Sequence, residues 1–335
     1  MMRRQQKGIA LITALLIVTL ATTAAIAITS ELQIEIRRNG NILHHDQAYV
    51  YALAAEDFAR YGLKLDHDAS KIDHLNELWH IIPVAEEIEG GTLTGKLEDL
   101  QGLFNLNNLA NKKAIDKERF LRILKNLELT NEESSQVTGS LLDWMDADQT
   151  SELAYGAEDD YYQGLSAPDR AYLASNQLLS HLSELRLIKG FSNEVLLKMR
   201  LIPAVDTETG ELLPPVFTVL PEYTDININT APVEVLKSLD IKITDETAQQ
   251  IITRRDGAVL DGGDVTPFES ADDFKKYLSS IAVKDVNIES LTVNTDYFLL
   301  NAKTTIGQTQ MNLYSLLKRN NKGISTVISR SQGVN

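Results

Sequence analysis

The chain has 335 residues, 43% of them hydrophobic and 24% charged, with a formal net charge of −15 and no cysteine. That composition excludes a disordered chain and any disulfide framework or thiolate metal site. Its acidity argues against nucleic-acid backbones as partners. The length allows two domains or one large one. Three cations, Arg3, Arg4 and Lys7, precede Gly8, and from Ile9 to Ser30 no side chain is charged. At about 1.5 Å per residue such a helix spans the ~30 Å hydrocarbon core of a bilayer. Cations on one side only set its orientation, with the leader cytoplasmic and everything after Ser30 across the membrane.

Three readings fit this stretch. One is a signal anchor holding an unrelated soluble domain. Another is a cleaved secretory signal, for which Ala25-Ile26-Ala27 offers a small-x-small site. The apolar run is longer than the usual ~7–15 residues, however, and no helix breaker precedes that site. The third rests on the Lys7-Gly8-Ile9 junction, which resembles the class III leader of type IV pilins and pseudopilins. The resemblance implies cleavage between Gly8 and Ile9 by a prepilin peptidase and N-methylation of Ile9. Such subunits carry a glutamate at the fifth mature position, where this sequence has Thr13. In the family that carboxylate neutralises a neighbour's N-terminal ammonium inside the apolar filament core, where an unpaired carboxylate would be strongly disfavoured. A subunit lacking it need not dock beneath another, which fits the first or topmost subunit of a filament.

The helix is expected to continue to about Leu65. Val50, Leu53, Ala54, Phe58, Tyr61 and Leu65 recur at three-to-four spacing, a stripe suited to packing on a sheet. Asn39-Gly40-Asn41 marks a point where the helix could kink. Leu78 to Val84 reads as a short strand with Pro83 at its edge or end. Gly90-Gly91 is a turn, Thr92 to Leu100 the next strand, and Gly102 to Asn107 a candidate third. His44, His45, His67, His74 and His80 lack metal-ligand spacing and read as surface residues.

From about Leu109 to Tyr277 the pattern is helical and contains an internal echo. Leu124 to Leu129 resembles Leu236 to Ile241; Asn105-Leu106-Asn107 and Asn227-Ile228-Asn229 precede them. Capping signals follow at Thr130-Asn131-Glu132-Glu133 and Thr244-Asp245-Glu246. Two related helix–turn–helix units are therefore expected. The second resembles a helix–hairpin–helix DNA-binding module, whose glycine-rich hairpin lets bare amides approach phosphate. Here the hairpin, Asp240 to Asp245, has no glycine and two carboxylates, so it reads as the scaffold without nucleic-acid binding.

Between the echoes, Asp143, Asp146, Asp148, Glu152, Glu158, Asp159 and Asp160 place seven carboxylates within eighteen positions. Such a group cannot sit close together unless a cation screens it, and hard oxygen ligands suit Ca²⁺. The spacing is not that of an EF-hand. Trp144 and Tyr161-Tyr162 flank the charges and would anchor the loop to a core. An acidic solvated loop is the plainer reading. Paired carboxylates could serve a glycosidase, but no sugar-stacking array accompanies them. No phosphate loop, HExxH or nucleophile elbow is present, so an enzyme is not expected. Ser166 to Asp169 starts a further helix, and Asp206 to Gly210 reads as a plain connecting loop. Tyr297–Thr304, Gln310–Leu317 and Ser325–Arg330 read as strands, with hairpin turns at Gly307 and Asn320 to Gly323.

An Asp-Trp-x-Asp-x-Asp run, a Gly-Ala-Glu-Asp-x-Tyr-Tyr run and an Asn-Ile-Asn-Thr-Ala-Pro run follow the leader in this order. Together they resemble the K-type minor pseudopilins of type II secretion, over essentially the whole chain. The resemblance implies an α+β fold: a pilin-like N-terminal membrane helix packed on an antiparallel sheet, with a large, mainly helical inserted domain containing helix–hairpin–helix-like units. The expected division is leader 1–8, helix 9–65, pilin-like sheet 66–108 and 286–335, and insert 109–285. The resemblance also implies calcium, two ions by the family's pattern. Asp146, Asp148, Glu158, Asp159 and Asp160 are the expected ligands of one site, with Glu152 a further candidate. The implied partners are the I and J minor pseudopilins, other pseudopilus subunits, a prepilin peptidase and the inner membrane, with the bulk of the chain in the periplasm. The alternative is a membrane-anchored periplasmic binding module that never enters a filament.

Overall fold

The structure, a computed structural model, describes residues 7–81, 84–151, 155–165, 171–206, 209–257 and 265–333. Helix α1 (Lys7–Ala69) runs unbroken through Asn39-Gly40-Asn41, where the sequence suggested a kink. A side chain added at Gly40 would meet nothing within 4 Å, so no neighbour competes with the helical hydrogen bonds there. No residue from Ile9 to Leu43 is buried. A single-turn helix α2 (Leu78–Ile81) follows, then strands β1 (Val84–Ile88) and β2 (Gly91–Asp99). The strand expected over Leu78 to Val84 is therefore corrected: its first four residues are helical. The Trp79 indole N–H donates to Glu77 Oε2 at 2.8 Å, and its ring meets Phe298 edge-on at 5.3 Å. These contacts override the strand-like composition. Pro83 lies outside the described residues.

The chain leaves the sheet at Asp99. The segment that follows contains β3 (Phe104–Asn105), a 3₁₀ turn (Leu106–Asn111), α3 (Ala114–Asn126), α4 (Asn131–Met145) and α5 (Asp159–Gln163). A second 3₁₀ turn (Leu182–Leu187), α6 (Asn193–Lys198) and β4 (Phe217–Thr218) complete this first unit. Next come β5 (Ile226–Asn227), α7 (Val233–Leu239), α8 (Asp245–Asp256), α9 (Ala271–Ser280) and β6 (Leu291–Thr292). The candidate third strand thus shrinks to two residues and belongs to this helical segment, because β3 pairs with β4 rather than with the main sheet. The chain returns as β7 (Tyr297–Ile306), β8 (Thr309–Arg319) and β9 (Ser325–Gln332), completing an antiparallel sheet of order β1-β2-β7-β8-β9. The hairpin turns fall at Gly307 and Asn320 to Gly323, as expected; both glycines have positive φ.

Helix α1 packs on this sheet, but of the stripe that the sequence suggested only Leu53 packs against the shared core. Ala48, Ala52, Ala55, Ala59 and Leu63 are buried, whereas Val50, Phe58, Tyr61 and Leu65 are each more than half exposed. Methyl side chains let the helix lie close over Phe298, Leu300, Leu313 and Leu317; the bulkier stripe would hold it away. The buried face also carries Glu56. Its carboxylate accepts from Ser315 Oγ at 2.7 Å and from Arg330 Nε and Nη2 at 2.7 and 2.8 Å. Burial works against the charged form of Glu56, but these donors outweigh it and hold the carboxyl below its ordinary range.

The internal echo is structural. In each unit an opening dipeptide pairs in parallel with a closing one: Phe104 and Asn105 with Phe217 and Thr218, Ile226 and Asn227 with Leu291 and Thr292. The Oδ1 atoms of Asn105 and Asn227 accept the N–H groups of Asn107 and Asn229. Asn107 then clips both backbone groups of Leu179, and Asn229 those of Phe268, all at 2.9 Å. Thr130 and Glu133 form the expected capping box, and Thr244 caps α8. Helix α3 packs on α7, and one apolar core runs through both units.

Replacing Asn229 by alanine leaves a buried N–H and a buried C=O of Phe268 unpaired. At about 1–3 kcal/mol for each such group, a loss of roughly 2–6 kcal/mol is expected. Thermal unfolding of the full chain checks it; a melting temperature within a degree of the parent's would contradict the clip.

Candidate metal centre

Helix α4 delivers the first acids. Its capping box fixes the N-terminus, and its C-terminus at Met145 hands over to Asp146, whose N–H bonds Leu142 O at 3.0 Å. The negative end of the helix dipole therefore points toward more carboxylates, an arrangement that favours a cation. Trp144, on the last turn, is buried and meets Tyr162 edge-on at 5.2 Å; Tyr162 stacks on Tyr172 at 5.3 Å. Of the expected aromatic anchors, Trp144 and Tyr162 enter the core. Tyr161 stays partly exposed beneath Lys189 Nζ, 4.8 Å from its ring.

Asp146, Asp148 and Glu158 each bring a carboxylate oxygen within 4.8 Å of the others. Glu158 is only 8% exposed, and neither of its carboxylate oxygens has a hydrogen-bond partner among the described residues. Burial, then the charges of Asp143, Asp146, Asp148 and Asp159, push its carboxyl up to about 7. Asp146 is raised too, chiefly by burial. Its Oδ1 is buried with no hydrogen-bond partner among the described residues, and its Oδ2 lies 3.4 Å from Lys112 Nζ. Asp148 is exposed and turns Oδ1 onto the Thr150 N–H. A buried Glu158 carboxylate and the Oδ1 of Asp146, none of these oxygens hydrogen-bonded among the described residues, repel one another and open to solvent through Asp148; with only Lys112 set against them on Asp146 Oδ2, they form a donor set that a hard divalent cation would satisfy.

Asp159 and Asp160 do not join these three. Asp159 Oδ1 accepts the Ala174 N–H at 2.9 Å, which ties down the following segment, and Asp160 is exposed. Glu152, Ser166 to Asp169, and Thr207 and Glu208 lie outside the described residues. Two residues of the acidic run hold places near the centre that the sequence reading did not assign them. Asp143 is fully buried and accepts from Ser151 Oγ at 2.9 Å. A Cβ on Gly156 would lie 1.9 Å from Asp143 Oδ2, so only glycine lets the loop close over that carboxylate. Asp143 lies on the last turn of α4, three positions before its C-cap Asp146, and that spacing was the available signal. A second acidic group, Asp66, Asp73 and Glu77, also converges within 4.8 Å beside Arg319; nothing in its spacing announced it.

At the other end, Thr13 bonds back to its own helix, donating to Ile9 O and Ala10 O at 3.1 and 3.0 Å. In the second unit's hairpin, Asp240 Oδ1 accepts the Lys242 N–H. Arg255 is buried and donates to the Ile228 and Ala231 carbonyls.

Comparison with known proteins matches this architecture. Residues 102–222 and 226–294 match two family models described as type II secretion system protein K, a division that falls between the two echoed units. The chain is 34% identical to the type II secretion system protein K of Pseudomonas aeruginosa, over 99% of this chain and 94% of that protein. It is 30% identical to the Aeromonas hydrophila protein of the same name, over 98% of each. Its fold is that of a chain in the crystal structure of the GspK–GspI–GspJ complex of enterotoxigenic Escherichia coli. That likeness has a TM-score of 0.71 at 24% identity and covers 89% of this chain and 100% of the other.

A carboxyl whose folded pKa is raised lends stability while protonated and loses it as pH climbs. In chelator, the melting temperature should therefore fall as pH rises from about 4.5, the ordinary glutamate value, through about 7. Glu158→Gln should flatten that fall. Parallel slopes for the two proteins across this window would refute the placement.

Proposed function

The chain belongs to the type II secretion system protein K family, and from that premise we propose that it is a structural minor pseudopilin at the tip of the secretion pseudopilus. It assembles with the I and J minor pseudopilins and initiates or caps the filament during protein export, without catalysing a reaction. A prepilin peptidase cuts between Gly8 and Ile9 and methylates Ile9. The chain then sits in the inner membrane by a single helix, its bulk in the periplasm. Helix α1 carries this reading: an exposed apolar stretch from Ile9 onward, uncharged to Ser30 and long enough to cross a bilayer, continues without a break into a segment packed on a sheet. Thr13 places no carboxylate in that stretch, so the subunit makes no demand for a neighbour's ammonium above it. The helical segment between β2 and β7 outweighs the sheet it interrupts and would obstruct addition of another subunit on top.

Calcium belongs to the same proposal. Asp146, Asp148 and Glu158 would hold it, neutralising the acids at the end of α4 and fixing the loop that α5 closes. Its contribution is stability of the insert. The family's second ion has no assigned ligands here.

Intact mass of the chain with and without the prepilin peptidase tests the assignment. A product beginning at Ile9 and dependent on that peptidase is expected. A chain retaining its leader would instead be an anchored periplasmic domain, and one cut after Ala27 a secreted protein. Calcium at about a hundred times its dissociation constant should contribute roughly 2.7 kcal/mol, raising the melting temperature by several degrees. Asp146→Asn with Glu158→Gln should abolish the rise; a rise that persists would place the ion elsewhere.

A further inference from the structure

A cavity of 690 Å³ lies between the C-terminal end of α1, helix α2 and the face of the sheet. Phe58, Leu65, Leu78 and Trp79 form apolar walls, and Asp66 and Glu77 contribute carboxylates. Leu78 stands on the rim, 71% exposed. The apolar stripe that α1 turns away from the sheet reaches this cavity through Phe58 and Leu65. It is a mostly greasy recess with an acidic end.

The acids are under-neutralised. Asp66, Asp73 and Glu77 bring oxygens within 4.8 Å of one another against the one guanidinium of Arg319. Arg319 Nη2 is committed to Asp73 Oδ2 and the Thr295 carbonyl, and Nη1 stands 3.5 Å from Asp66 Oδ2, an ion-pair contact too loosely aligned to count as a hydrogen bond, and that atom has no other donor among the described residues. Glu77 Oε2 is held by the His74 and Trp79 N–H groups, and His74 Nε2 is 3.8 Å from its other oxygen. Burial, then Glu77 and Asp73, push the Asp66 carboxyl up to about 7.

We propose that this cavity receives an arginine or lysine side chain from a partner protein, on a segment whose neighbouring apolar residues cover Phe58, Leu65 and Leu78. A long basic side chain matches both features, since its methylene stem packs on apolar walls while its head reaches the acids. A bare metal ion would use the acids and leave the walls uncovered. A purely apolar segment would bury Asp66 and Glu77 against hydrocarbon, which charge disfavours. The site stands apart from the metal centre and does not depend on where in a filament the chain sits.

The test places the photo-crosslinking residue p-benzoylphenylalanine at Phe58 of the full chain, in cells with the complete secretion apparatus, and identifies the captured peptide by mass spectrometry. The expected capture is a partner peptide with lysine or arginine among apolar residues. Asp66→Asn with Glu77→Gln should lower its yield at least about tenfold, the scale of removing one partner from a desolvated charge pair, with no fall in melting temperature. Leu78→Ser, at an exposed position, should lower it several-fold with the fold intact. Undiminished capture in the acid-neutralised variant overturns the proposal. So does a captured peptide without a basic residue, capture of lipid only, of another copy of this chain, or of nothing. A calcium-dependent rise in melting temperature that survives D146N/E158Q but is lost in D66N/E77Q would make the acids a cation site, and overturns it as well.

Discussion

The carboxylate of Asp99 ties the sheet to the helical segment inserted in it. Asp99 ends β2, where the chain leaves the sheet, and the Leu100 N–H donates to Tyr297 O, where it returns. One carboxylate oxygen accepts the N–H groups of Gln101 and Gly102, and the other accepts from Thr230, Thr295 and Asn227. Burial raises the Asp99 carboxyl to about 6, with the Thr230 and Thr295 hydroxyls acting against the rise. A buried anion is tolerable because so many donors converge on it. Asp73 extends the knot, joining the loop after α1 to Thr295 and to Arg319 at the end of β8. Each element that meets at the junction supplies a donor or an acceptor, so the orientation of the insert follows from polar geometry rather than from a greasy interface.

The acidic cluster at the end of α4 shows the opposite economy. Asp99 collects donors, whereas at the negative end of α4 both Glu158 oxygens and Asp146 Oδ1 converge with no donor among the described residues, and only Lys112 faces Asp146 Oδ2. Native sequences rarely leave such conflict unresolved unless something outside the chain resolves it. The flanking aromatic cluster and the close approach at Gly156 hold the acids in place regardless. The acids are thus held close together, and a cation would need only to neutralise them.

Much of this was legible in the sequence because it depends on local chemistry. Glycines and asparagines marked the C-terminal hairpins, threonines marked the helix caps, and the repeated Asn-x-Asn pairs marked the two units. The Asp146–Glu158 group could be found because crowded carboxylates are conspicuous. What failed depends on partners distant in sequence. The buried face of α1 is read from size and hydropathy, yet close packing selected alanines, and Arg330 drew Glu56 inward from 274 residues away. Leu78 to Ile81 has strand composition, but Trp79 answers to Phe298 and Glu77. The convergence of Asp66, Asp73 and Glu77 exists only once the loop has folded beneath Arg319. Asp143, hidden within the acidic run, is distinguished from its neighbours by burial alone.

The alanine face of α1 also has a mechanical meaning. Residues 9–43 touch little else in the chain and form a rod of roughly 50 Å at ~1.5 Å per residue. Tension along that rod enters the sheet over the short span from Ala48 to Leu63, parallel to the packed surfaces. Smooth methyl contacts resist sliding poorly. The Glu56 bonds to Ser315 and Arg330 cross the sliding plane and act as a detent. A load on that rod is therefore shared between the transverse bonds of Glu56 and that of Arg60 to the Ser325 carbonyl before it reaches the sheet.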